Sequence, residues 1–293
     1  ILMAVNAAIA DMVPAEERTA VFGKLGAFIQ ASFMVGMFSA GEVTKRYSPK
    51  IAYTIAAAVS CVSLVLMYVG MTETLPEKKP FKAPNPFSFV DLLNPRSVYN
   101  KTTAYAGGKL AVVLGLQKGT GEPGLTDAKN LYNRSVVGWD DAQRGNFLAF
   151  EGLAMMVANG LTGRVVKAIG PQVNFFAGSV LKMAQYLIMG LTKSGSVLYA
   201  TLPLAIPLET SQSVTSALTA IADETGCGQG RLSGDVQNMQ AVVKIIMPLV
   251  YGRLFAYGLS RGLGGLAHFF YVGAWGLSML VYASVPKKYQ GSR

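Results

Sequence analysis

Apolar residues in this chain fall into long blocks, and the breaks between blocks carry Gly, Pro or paired charges. A helix needs about 20 mostly apolar residues to cross a bilayer. Blocks of that order occupy residues 19–42, 50–71, 146–168, 171–191, 196–222, 236–259 and 263–285, after a shorter stub at 1–10. The second contains IAYTIAAAVSCVSLVLMYVG, which carries no charge. None alternates with the period of two expected of a membrane-barrel strand. Breaks rich in Gly and Pro are where helices end. A polar stretch at 72–102, with Pro76, Pro80, Pro84, Pro86 and Pro95, reads as an extended linker.

The segment 103–137 is harder to place. LAVVLGLQ is followed by GTGEPG and then by LTDAKNLYNRSVVGWD. Gly119, Gly121 and Gly124 match the G-x-G-x-x-G spacing of a dinucleotide loop, with Asp140 and Asp141 downstream. That loop belongs to a βαβ unit that continues into further strands, whereas apolar helices follow here. Pro123 also stands where a first helical turn would offer its N–H groups. The segment therefore predicts a membrane helix broken in its middle, which is tolerated where protein buries it or a cavity adjoins it. With it the chain has about eight spans plus the stub, an all-α polytopic membrane bundle.

Composition agrees. Hydrophobic residues make up 51% of the chain and charged residues 14%, against roughly 25% charged in soluble domains. A disordered chain is excluded and a soluble enzyme is disfavoured. The net charge of +10 comes from basic residues set singly or in pairs, not from the aromatic-interleaved clusters of a nucleic-acid face. Cys61 and Cys227 lie far apart and define neither a disulfide framework nor a metal spacing. His268 is the one histidine, so no histidine-rich metal site is expected and no cofactor is implied. Asn100 and Asn133 open glycosylation sequons; the first is expected on the cytoplasmic side. Ile1 opens inside an apolar run with no basic leader or cleavage site, as the tail of a helix whose beginning lies outside the sequence.

Two stretches resemble each other. Ala10 and Asp11 end a helix before Arg18 and Gly23; 212 residues later Ala222 and Asp223 end a helix before Gly230 and Gly234. Transporters are often built from two such halves with substrate bound between them. ADMVPAEERTAVFGKLGAF (10–28), TETLPEKK (72–79), the region 114–140 and GLTGRVVKAIGP (160–171) together resemble the major facilitator superfamily, in its drug:proton antiporter and tetracycline-resistance-like branch. The resemblance implies that 10–28 is the turn from the fourth to the fifth helix, 72–79 the end of the sixth, and 160–171 the basic turn joining the eighth and ninth. The first three helices, with the family's Gly-Asp-Arg turn, would then be missing. Gly36-Met37 stands where relatives carry Gly-Pro in the fifth helix, and Gln30 and Ser32 where they carry glycine, which counts against proton-coupled antiport. A modest excess of Lys and Arg lies on the loops that the family places in the cytoplasm.

An ionisable side chain inside a span belongs against the bundle interior or a partner. Glu209, after Pro203 and Pro207, opens an unusually polar belt, Thr210 to Ser213. It reads either as a substrate or proton site assisted by Gln212, or as a structural glutamate paired with Lys244. Glu151 reads as interfacial, with a cavity role as the alternative, and Asn159 as helix–helix glue or a site residue. Lys182 is expected to snorkel or meet a partner protein, and His268 to sit in an interfacial aromatic belt. Asp11, Arg18, Gly23, Arg164, Lys167 and Asp223 are the turn residues that the resemblance ties to the conformational switch; simple positive-inside anchoring accounts equally well for Arg164 and Lys167.

The expected organisation is a remnant of an N-terminal bundle at 1–71, the linker at 72–102, a six-helix bundle at 103–285 and a polar tail at 286–293. The expected function is transport of a small organic solute by rocking bundles, with proton coupling left open. The competing reading is a transport-inactive structural subunit packed among other membrane proteins. Expected partners are the lipid bilayer, a small-molecule solute and, under the second reading, other membrane subunits.

Overall fold

The computed structural model describes residues 5, 8, 9, 12–70, 85, 87–100, 105–205 and 210–290, and among these no strand occurs. The long helices are α1 (Ala15–Arg46), α2 (Pro49–Gly70), α6 (Asp141–Ile169), α7 (Pro171–Leu191), α9 (Ser211–Thr225), α10 (Gln229–Ser260) and α11 (Leu266–Ala283). Shorter ones are α3 (Val90–Leu93), α4 (Ala106–Leu114), α5 (Thr126–Ser135) and α8 (Gly195–Ala200). Among the described residues, four stretches are long and apolar enough to cross a membrane: 20–44, 50–70, 229–260 and 266–283.

Local chemistry sets the helix boundaries. At the start of α6, the Asp140 carboxylate accepts from the Gln143 backbone N–H at 2.7 Å, and the Gln143 side chain accepts from the Asp140 N–H at 3.1 Å. This reciprocal box satisfies two N–H groups that the helix itself leaves without partners. α7 begins on Pro171, where the missing N–H costs nothing.

The broken helix is present: α4 runs into two π-helical turns, Gly115–Gly119 and Gly121–Leu125, and then into α5. Its glycines admit neighbouring helices, not a phosphate. A side chain at Gly124 would meet Tyr251 Cδ2 at 2.7 Å and Pro248 N of α10 at 2.9 Å, and one at Gly119 would meet Val243 at 3.1 Å. The dinucleotide alternative is thereby removed.

Two apolar clusters fill the interior. One gathers Leu92, Leu110, Phe175, Ile221, Leu232 and Tyr282, with Phe175 and Tyr282 stacked at 3.7 Å. The other gathers Phe147, Tyr186, Tyr251, Tyr271 and Trp275. The first includes Leu92 and Tyr99, so the end of the supposed linker folds onto the bundle. Tyr99 OH donates to Asp235 of α10 at 2.6 Å, and Arg231 of α10 meets Asp91 at 2.8 Å. Both sequon asparagines are buried. The Asn100 amide donates to Leu92 O and Asn94 O while its oxygen accepts from Gly108 N. Neither is presented for glycosylation.

α1 lies along α6 in the most extensive helix–helix contact of the structure. Lipid tails are as apolar as leucine, so helices in a membrane gain little from apolar contact alone and depend on close approach at small residues. The seam supplies them: a Cβ at Gly23 would sit 2.7 Å from Asn159 O, and one at Gly163 would sit 2.7 Å from Ala20 Cβ. α2, by contrast, is exposed along its length with Val59, Leu64, Val65 and Val69 outward, and it packs chiefly on α1.

Gly23→Val is expected to destabilise the protein by about 1–3 kcal/mol through overpacking at the seam. Gly36→Ala, on the open face of α1 with nothing within 4 Å, is expected to be neutral or to stabilise by up to about 1 kcal/mol. Thermal unfolding of the two variants in detergent checks the contrast.

Candidate functional site

The polar groups gather in three places. The first is the seam. Asn159, buried on α6, donates to Met155 O at 2.8 Å, and its oxygen accepts from Gln212 Nε2 of α9 at 3.3 Å. Gly26 of α1 faces this pair so closely that a Cβ there would collide with the Asn159 amide. Three helices thus meet at two amides, and Gly23 lies one turn away against the same asparagine.

The second place is one end of the bundle. Arg18, in the first turn of α1, donates to Asp223 at 2.5 Å and to Val13 O at 2.9 Å. The guanidinium side chain is 8% exposed and the carboxylate side chain 47%. Asp223 also accepts from Gln229 Nε2 at 2.6 Å. The arginine of the first repeated turn therefore pairs with the aspartate of the second. The adjoining Glu224 takes the chain's other end: it accepts from Tyr289 OH at 2.5 Å and meets Lys288 Nζ at 2.7 Å.

The third place is inside the second helix set. Lys129 of α5 and Glu151 of α6 form an ion pair at 2.5 Å, with side chains 8% and 14% exposed. His268 of α11 is buried, edge-on to Tyr132 of α5 at 5.0 Å. Lys182 of α7 lies over the Tyr186 ring at 5.4 Å.

These placements sort the expected residues. The structure brings together Asn159 with Gln212, and Arg18 with Asp223. Glu151 is not interfacial: ten residues into a helix whose inner face is apolar, it is largely buried and needs the cation it finds. His268 is buried among aromatic rings, and Lys182, half-buried, lies over the Tyr186 ring. Lys244 is half-buried on α10, and Arg164 and Lys167 are exposed near the end of α6. Glu209 and Asp11 lie outside the described residues, as does any Glu209–Lys244 pair.

Lys129 went unrecognised in the sequence, although a signal exists. Leu125, Ala128, Lys129 and Tyr132 share one face of α5 at helical spacing, so a lysine there had to be buried and partnered. Gln117, in the first π-helical turn, was also passed over. Its amide donates to Ser278 and accepts from Thr210, each at 3.3 Å, while its backbone oxygen accepts from Tyr271 OH at 3.1 Å. The helix break thereby joins three helices.

Long apolar helices, with a buried ion pair inside and a polar seam between two helix sets, define a multi-pass integral membrane protein. The chain belongs to the Major Facilitator Superfamily, whose family profile matches residues 1–248. It is 26% identical over 261 residues to the class D tetracycline resistance protein of Salmonella ordonez, covering 85% of this chain and 61% of that protein. It is 22% identical over 256 residues to the human Hippocampus abundant transcript 1 protein, covering 86% and 51%. The fold matches the human organic anion transporter MFSD10 (TETRAN) with a TM-score of 0.71 at 19% identity, over 96% of this chain and 67% of that one. The chain thus spans less than two thirds of the length of these two curated relatives.

At the turn, hydrogen bonds from Lys288 and Tyr289 hold the Glu224 carboxyl below its ordinary range. A depressed carboxylate pKa stabilises the folded contact above the unfolded value and loses that contribution as pH falls through the folded one. The tail at 286–290 is therefore expected to stay docked at neutral pH and to loosen under acid. Glu224→Gln is expected to abolish this pH dependence; hydrogen exchange of the tail amides measures both.

Burial makes the Lys129–Glu151 pair sensitive to one-sided loss. Lys129→Met alone is expected to cost about 3–5 kcal/mol, and Lys129→Met combined with Glu151→Leu to recover most of it. Thermal unfolding of the single and double variants is the measurement.

Proposed function

We propose that this chain serves in moving a small organic solute across a membrane, through rocking of α1–α2 against the helix set 103–285 about the α1–α6 seam, with coupling to protons. The observation that carries the reading is the crossing of the repeated turns, Arg18 of one half on Asp223 of the other. An ion pair at one end of a seam acts as a latch that can open while the seam serves as the pivot. Asn159, Gln212 and Gly26 then line the solute path at the point where the halves meet. Glu209 and Lys244 belong to this reading as further site candidates, with Asp11, Arg164 and Lys167 as switch-turn candidates. The names of the relatives support the solute class: tetracycline for one and organic anions for another are both small organic molecules.

A second reading, a transport-inactive structural subunit of a larger membrane assembly, draws on α2. That helix is exposed along its length and packs chiefly on α1 among the described elements, a surface that partner subunits fit as well as lipid.

Reconstitution of the full chain in vesicles with an imposed pH gradient decides between them. Uptake of tetracycline or of a fluorescent organic anion is expected, with Arg18→Ala lowering the rate several-fold and Arg18→Lys restoring part of it. Absence of uptake of either solute by folded protein, together with co-purification in fixed ratio with other membrane proteins, supports the structural subunit instead.

A further inference from the structure

Three segments of the chain converge on the turn between α9 and α10. α1 reaches it through Arg18 on Asp223, the tail at 286–290 through Lys288 and Tyr289 on Glu224, and the segment 87–100 through the foot of α10. The last contact is the firmest. Asp235, buried in the second turn of α10, accepts from Tyr99 OH at 2.6 Å with one oxygen and from Ser88 Oγ with the other. Arg231 meets Asp91 and lies over the Tyr99 ring at 5.8 Å, and Leu92 and Tyr99 are fully buried. The foot of α10 is thereby fixed to the helix set.

The end of α9 is held differently. Only Gly226, Cys227 and Gly228 join it to α10, and the two glycines have φ of 63° and 82°. Glycine moves between such conformations at little steric cost, so this connection is a joint and not a brace. Across it, Gln229 Nε2 donates to Asp223 at 2.6 Å and to Thr219 O at 2.9 Å. The other grip on the last turn of α9 comes from the tail. Tyr289 seats its ring in the first apolar cluster and donates to Glu224 at 2.5 Å, while Lys288 Nζ stands 2.7 Å from the same carboxylate. The Gln290 amide closes the tail onto α11, donating to Tyr282 O at 2.9 Å and Val285 O at 2.6 Å. Lys288 and Glu224 are 67% and 37% exposed, so water can replace that pair. Glu224 directly follows Asp223, which places the grip of the tail next to the partner of Arg18.

We propose that the tail at 286–290 is a strap that regulates the Arg18–Asp223 latch. Docked, it holds the last turn of α9 where Asp223 receives Arg18. Lifted, it leaves that turn on its glycine joint, and the latch loosens. The last turn of α9 is the movable element that both contacts bias, so their coupling is reciprocal: each contact strengthens the other by the same factor. Any molecule that lifts the tail thereby weakens the latch, and opening the latch loosens the tail. The strap regulates the site of the proposed transport and rests on the reading of Arg18–Asp223 as its latch.

The test is hydrogen exchange of the full chain in lipid nanodiscs at neutral pH, with no solute present. Lys288→Gln with Tyr289→Phe removes both grips on Glu224 while keeping a ring in the apolar cluster. It is expected to speed exchange of the amides at 19–22, in the first turns of α1, several-fold. Arg18→Ala is expected to speed exchange of the amides at 287–290 to a similar degree. Combined, the variants are expected to fall short of the product of their separate effects, the mark of a shared element. Arg231→Gln, which loosens the foot of α10 instead, is expected to leave the amides at 19–22 as they were. Unchanged exchange at 19–22 in the tail variant overturns the strap, as do fully independent effects in the combined one. Faster exchange spread along the whole of α11 in the tail variant marks general destabilisation and overturns it as well. Coupled exchange in a chain whose solute uptake is indifferent to Arg18→Ala leaves the strap standing and overturns the latch reading, so the two failures are told apart.

Discussion

The close approach of α1 to α6 is the constraint on which the rest of the structure depends. Helices immersed in hydrocarbon gain nothing by exchanging lipid contacts for apolar side chains, so backbone proximity and interhelical hydrogen bonds must supply the attraction. Gly23 on α1 and Gly163 on α6 permit that proximity. Once the helices are in place, Gly26 faces the Asn159–Gln212 pair and Arg18 is delivered to Asp223. α2 is attached to the rest through α1, so its position follows from the same seam.

The distribution of charge follows a second rule, that the hydrocarbon core admits an ionised group only with a partner. At the Asp223 end, water is near and the ion pairs are partly exposed: Arg18 with Asp223, Lys288 with Glu224, Arg231 with Asp91. Inside, the charges of Lys129 and Glu151 meet each other directly. The turn between α9 and α10 collects contacts from two directions. Asp223 is held by the first turn of α1 and Glu224 by the C-terminal tail. Adjacent carboxylates thereby tie the two ends of the described chain to one hinge.

Much of this was legible in the sequence, for physical reasons. The span at 171–191 is α7 residue for residue, because Gly170-Pro171 and the polar residues after Leu191 punctuate it on both sides. The broken helix was readable as well, since six glycines and a proline from residue 107 to 124 do not sustain a regular helix. The run at 196–222 was less transparent: it holds α8, a 3-10 turn at Leu202–Ala205 and α9. Length and overall apolarity suggested one span, although Pro203 falls in the 3-10 turn that ends the first part. Glu151 was misplaced because distance along a helix from its polar end says little about depth when a neighbouring helix offers a lysine. Hydropathy scores each position alone, whereas Lys129 and Glu151 are separated by a turn and a helix start. The Arg18–Asp223 pairing was hidden for the same reason: the repeat marked both residues, but only the seam shows that each belongs to the other.

The two kinds of ion pair have different energetic consequences, and that difference bears on how the molecule can move. An ion pair with its carboxylate half in water is held less firmly than one buried on both sides, because solvent competes for the exposed group. Arg18–Asp223 can therefore separate on its carboxylate side, 47% exposed, at less cost than a fully buried pair. Lys129–Glu151 cannot: separating those charges in the interior leaves each without compensation, at a cost several times larger. Helices α5, α6, α7 and α11 are thus held as one body by their internal charges and aromatic contacts, while α1 is joined to that body by small residues and by a pair that water can replace. Under the rocking proposed above, motion would be confined to the seam, because the buried pair resists separation.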